Sequence, residues 1–172
     1  MDIRKILHGF HRHGAELGFV VSWFCGLLSG IVMALHTDYA FFDPIRQISS
    51  SQLSAAGVIL ATFLPFAIAA CVSRLCHPGW LALIAGLRMF AFAYISMAIH
   101  IVFSSAGWLF CLLLQFGSIL SLPLFCWFCI RRVSGRAGLL KTDILITCSF
   151  TVAIAAVDLY LIAPLLGTIA EF

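Results

Sequence analysis

Five apolar runs divide this chain: Leu17–Leu35, Leu53–Ser73, Trp80–Phe103, Gly107–Ile130 and Ile144–Ala170. Each is close to the roughly 20 residues that a helix rising about 1.5 Å per residue needs to cross the hydrocarbon of a bilayer. A soluble fold cannot hide so much apolar surface. Of the 172 residues, 63% are hydrophobic and only 10% are charged, too few to solvate the outside of a globule. The connectors are too short to hold a hydrophobic core of their own. The expected fold is therefore all-α, a polytopic membrane bundle of about five transmembrane helices forming a single domain over residues 1–172.

Charge placement orients that bundle. Arg4, Lys5 and Arg12 precede the first run, Arg74 follows the second, and Arg131, Arg132, Arg136 and Lys141 separate the fourth from the fifth. With five crossings these fall on one side, eight of the ten Lys and Arg, while Arg46 stands across from them with Asp38, Asp43 and Glu171. The positive-inside rule places the N-terminus in the cytoplasm and the C-terminus outside. The formal net charge of +3 then reflects anchoring and attraction to anionic headgroups, with no nucleic-acid partner implied. Although Arg4 and Lys5 precede it, the first run is expected to remain as an anchor, because Met33-Ala34-Leu35-His36 is a poor small-residue cleavage site. Met1–Glu16 reads as a basic, amphipathic lead-in on the cytoplasmic face.

Polar residues inside the runs are few, and so each carries weight. Asp158 is the acidic residue within an apolar run, at a depth where a carboxylate costs about 2.5–3.5 kcal/mol on insertion scales. Arg88 in the third run is its natural counter-ion. The two belong to spans running the same way, with backbone depths differing by about 9 Å, so a direct pair needs the arginine to reach outward. Tyr160, Gln115 and Ser118 are the other groups placed to hydrogen-bond Asp158. Pro65 and Pro123 mark kinks in the second and fourth runs. In the first run Gly14, Gly18, Ser22, Gly26, Gly30 and Ala34 recur every fourth residue, making a smooth ridge for close helix approach. Packing within the bundle is the leading reading of that ridge, and dimerisation or a partner's helix the sharper one.

Other candidate chemistry recedes on inspection. The seven cysteines are odd in number and lie almost wholly within apolar runs, so no disulfide framework is expected. Cys126-Trp127-Phe128-Cys129 has redox or metal spacing but no basic neighbour within the run to favour thiolate, so packing is the plainer reading. His8, His11 and His13 read as an interfacial basic face, not a metal tract. No H-E-x-x-H, G-x-S-x-G, P-loop or paired intramembrane aspartates occur. Neither a catalytic centre nor a metal or cofactor site is expected.

The segment Asp158-Leu159-Tyr160-Leu161-Ile162-Ala163-Pro164-Leu165-Leu166 resembles the closing span of stage II sporulation protein M-like membrane proteins, which carries an acidic residue, a tyrosine and a proline. Asp158 stands where a glutamate is more usual. The first run with Gly26 and Gly30, the proline-bearing second and Pro123 in the fourth fit the same pattern. The resemblance implies a non-catalytic scaffold in a bacterial cytoplasmic membrane that organises cell-wall remodelling partners. Asp158, Tyr160 and Pro164 would then be structural, and the ridge Gly18, Ser22, Gly26, Gly30 would contact membrane or extracytoplasmic proteins or a second copy. The competing expectation is a small permease, channel-like or accessory transporter subunit. Asp158 would be its proton or cation site, and in the accessory case Arg131, Arg132 and Arg136 would dock a cytoplasmic partner.

Overall fold

A computed structural model describes residues 3–46, 55–75, 79–133 and 140–165. Those residues are helical almost throughout, with no strand among them. Among the described residues four helices are long and apolar enough to cross a membrane: Glu16–His36, Gly79–Leu114, Phe116–Val133 and Lys141–Leu165, with a shorter apolar helix at Ile59–Arg74. The apolar runs cause this directly, since in hydrocarbon every backbone N–H and C=O must be satisfied within its own segment.

Helix α1 spans Ile3–His36 without interruption, so the basic lead-in extends the first apolar helix instead of lying as a separate element. It runs parallel to α4 (Gly79–Phe103) at very short range. Ser22 donates to the Ala82 carbonyl at 2.7 Å, and Tyr94 donates to Thr37 at 3.3 Å farther along. Between them the glycine ridge closes the gap. A Cβ on Gly26 would overlap the Gly86 carbonyl, and one on Gly30 would meet the Ala93 Cβ at 2.9 Å. Gly18 and Gly14 have open space around them, so the contact made by the small-residue ridge itself begins at Ser22. The opposite face of α1, with Leu17, Phe24 and Leu28, is exposed, as befits a lipid-facing surface.

After α1 the connector folds into a 3-10 turn, Tyr39–Phe42, and a short helical turn, α2 (Asp43–Arg46). Phe41 is exposed, whereas Phe42 is buried against Tyr94 with ring centroids 6.1 Å apart. Ser49, Ser50 and Ser51, candidates to cap the next helix, lie outside the described residues. Helix α3 spans Ala55–Leu75 and continues through Pro65.

The apolar stretch Gly79–Leu114 reverses at Ser104–Ala106, where Ser104 takes the left-handed φ of 46°. Residues seven apart in one straight helix lie about 10.5 Å apart. Here a Cβ on Gly107 would come within 2.8 Å of the His100 Cα, and the Phe103 and Phe110 rings stack at 4.1 Å. Helix α5 (Gly107–Leu114) thus returns along α4, and α6 (Phe116–Val133) continues the return. Helix α7 (Leu140–Val157) then packs on α3 and α6. The central core is aromatic: Phe19, Phe66, Phe125 and Phe128 close around Ala69, Leu81, Ala85 and Cys129.

Candidate functional site

The fourth apolar run is broken at Gln115, not at Pro123, through which α6 runs on. Gln115 leaves the helical region with φ −112° and ψ 15°; its N–H still bonds the Cys111 carbonyl at 3.0 Å. Its own carbonyl then accepts from Ile119 at 2.8 Å, restarting the ladder. A restarted helix presents N–H groups without intrahelical acceptors. One of them, on Gly117, donates to the carboxylate of Asp158. The carboxylate stands so close to the Gly117 Cα that any Cβ there would overlap Oδ2. Glycine is required by that approach, and an acidic group suits the positive end of α6.

Asp158 is itself set on an irregular turn. The helix widens to π geometry over Asp158–Ile162, with the Ala163 N–H bonding back to the Asp158 carbonyl. Pro164 lies just beyond it. A proline brings no N–H and crowds the carbonyl four residues back, here that of Tyr160, and a wider turn relieves the crowding. Asp158 is half-buried, Pro164 exposed, and Tyr160 is 84% exposed. Tyr160 therefore faces outward. The backbone of α6, which side-chain reasoning did not offer, is the Asp158 partner.

Arg88 is engaged elsewhere. Its Nη2 donates to the Ser121 hydroxyl at 2.6 Å, and its guanidinium lies 4.4 Å from the Phe125 ring centroid and 5.3 Å from that of Phe66. Cation–π contact of this kind supports a buried arginine without a carboxylate. No ion pair joins Arg88 to Asp158 among the described residues. Among the described residues, Arg88 Nη1 and Gln115 Nε2 near these joints are buried and find no hydrogen-bond partner.

A third polar joint involves Asp143, which the sequence pattern does not single out. It is 2% exposed in the first turn of α7 and accepts from Arg132 at 2.9 Å, with Arg131 at 3.3 Å. Both arginines also lie over rings of their own helix, Arg131 over Trp127 and Arg132 over Phe128. They clamp the end of α6 to the start of α7, placing cations at a helix C-terminus and an acid at an N-terminus. Arg136, grouped with them as a docking candidate, lies outside the described residues. Cys129 of the C-x-x-C segment is fully buried in the aromatic core.

Asp158, Arg88 and Asp143 are thus three separate fastenings, all made to α6. Ser22, Gly26 and Gly30 are joined to α4, and Gly18 is not. Neither family models, curated proteins nor solved structures match this chain.

Proposed function

We propose that this chain is a five-crossing membrane protein, N-terminus in the cytoplasm and C-terminus outside, that acts as a non-catalytic scaffold. The observation that carries the reading is the commitment of Asp158 to the Gly117 N–H at the start of α6. A working carboxylate is held free to exchange its ligand, whereas this one caps a broken helix. Arg88 is likewise tied to Ser121 and two rings, so both intramembrane charges fasten helices together. The reversal at Ser104–Ala106 supports five crossings, with α5 and α6 together forming the fourth and α3 the second.

The proposed setting is a bacterial cytoplasmic membrane. The proposed role is organising extracytoplasmic, cell-wall remodelling partners in the manner of stage II sporulation protein M-like proteins. The Gly26–Gly30 part of the ridge is occupied by α4, so partner contact falls to other surfaces: the connector with exposed Phe41, and the exposed Tyr160 face. Photo-crosslinking from Phe41 and Tyr160 in native membranes tests this directly. Adducts with cell-wall proteins are expected, and crosslinks to lipid alone would count against the scaffold. Reporter fusions at the connectors test the five-crossing topology; a C-terminal reporter active in the cytoplasm would refute it.

One observation favours a second reading. Gln115 is 5% exposed and its Nε2 is unpartnered, at a helix break beside a half-buried carboxylate. Discontinuous helices at such depth line substrate sites in transporters. A permease or accessory transporter subunit using Asp158 for a proton or cation is therefore the alternative.

A further inference from the structure

An apolar cleft of about 230 Å³ lies between α3, α6 and α7, floored by Phe66 and Phe128 and bounded by Phe63, Ala70, Ile144 and Thr147. Two more lining residues, Ala67 and Cys148, are exposed, so the cleft opens toward the bilayer between α3 and α7. The Thr147 hydroxyl is turned to the Asp143 carbonyl at 2.7 Å, leaving the walls effectively without a free polar group. The volume falls below the roughly 300–1,000 Å³ of sites that enclose a drug-sized molecule. It suits a segment of a linear hydrocarbon chain entering from the side.

The charges at one end of the cleft supply the specificity. Each of its three walls carries a basic residue one helical turn beyond the lining, and all lie toward the same end of the bundle. On α3, Phe63, Phe66, Ala67 and Ala70 share a face, and Arg74 continues it at i+4 from Ala70. On α6, Arg131 and Arg132 stand at i+3 and i+4 from Phe128. On α7, Lys141 precedes Ile144 by three residues on the face that Cys148 extends. Of these four basic side chains, Arg131 and Arg132 already share the single carboxylate of Asp143. Arg74 and Lys141 are exposed and form no ion pair among the described residues.

We propose that this cleft is a binding site for an anionic phospholipid, one acyl chain seated between α3 and α7 and the phosphate held by Arg74 and Lys141. Basic pockets between transmembrane helices are suited to such headgroups, and here the apolar slot lies one helical turn from the charges on each of its walls. The inference does not depend on what the protein does, nor on which leaflet this end faces.

The test uses the full chain in neutral detergent, titrated separately with phosphatidylglycerol, phosphatidylcholine and inorganic phosphate, read by thermal unfolding and native mass spectrometry. Phosphatidylglycerol is expected to bind and raise Tm well beyond phosphatidylcholine, with inorganic phosphate giving no comparable gain. Arg74→Ala and Lys141→Ala should each weaken phosphatidylglycerol about fivefold, and the double variant about thirtyfold. Ala67→Trp, at an exposed lining position, should abolish tight binding by filling the slot while leaving both charges. Equal stabilisation by phosphatidylcholine would overturn the proposal, and so would an equal effect of inorganic phosphate. Undiminished binding to Ala67→Trp would overturn the acyl slot, leaving only surface charge.

Discussion

Gly117→Ala reverses the sign that helix propensity assigns to it. In an ordinary helix interior, alanine is favoured over glycine by about 1 kcal/mol. At position 117 the new methyl would occupy the space of the Asp158 carboxylate. Forcing an extra carbon into a packed contact costs typically about 1–3 kcal/mol. Displacing the carboxylate also loses its bond to the Gly117 N–H, and interhelical hydrogen bonds in membranes average about 0.6 and reach about 1.7 kcal/mol. After the propensity gain, a net destabilisation of about 1–3 kcal/mol remains. Reversible unfolding in mixed detergent micelles measures it, followed by tryptophan fluorescence. A double-mutant cycle with Asp158→Ala isolates the contact: in that background Gly117→Ala should become neutral or stabilising, because the obstructing oxygen is gone. A neutral or stabilising Gly117→Ala in the wild-type background would refute the reasoning, as would strict additivity in the cycle.

Three further outcomes are expected. Gly26→Ile should separate α1 from α4 and destabilise by roughly 1–3 kcal/mol, while Gly18→Ile, with open space around it, should stay within about 0.5 kcal/mol in the same assay. Arg132→Gln should destabilise far more than Arg131→Gln, because Arg132 is 11% exposed and bonds Asp143 at 2.9 Å, against 36% and 3.3 Å for Arg131; equal effects in detergent unfolding would contradict the clamp. Ser121→Ala should remove the acceptor of a buried guanidinium and cost about 1–3 kcal/mol, and Ser121→Thr, which keeps a hydroxyl, should recover part of the loss.

The helices were legible because their signal is local. Runs at 53–73 and 80–103 become Ala55–Leu75 and Gly79–Phe103, and the small-residue ridge from Ser22 to Gly30 packs as its four-residue spacing implies. The site was not legible in the same way. Prolines are the local signal for a break, yet α3 and α6 run on through Pro65 and Pro123. The break at Gln115 is supported by a carboxylate from another helix, and Gly117, two residues on, is the one local trace of it. Asp143 was hidden for a related reason: an acid beside a polar connector reads as solvated, and only the packing of Arg131 and Arg132 against it creates the burial. Likewise, Arg88 and Asp158 look like a pair by charge alone. A hydroxyl and two aromatic rings satisfy the first, and a backbone N–H the second.

The most direct test of Asp158 as a structural cap is proton and cation flux in proteoliposomes, comparing wild type with Asp158→Asn and measuring the stability of both. The structural role leads to no pH-dependent flux in either protein and a less stable bundle in the variant. A pH-dependent flux in wild type that Asp158→Asn abolishes, with stability unchanged, would contradict it.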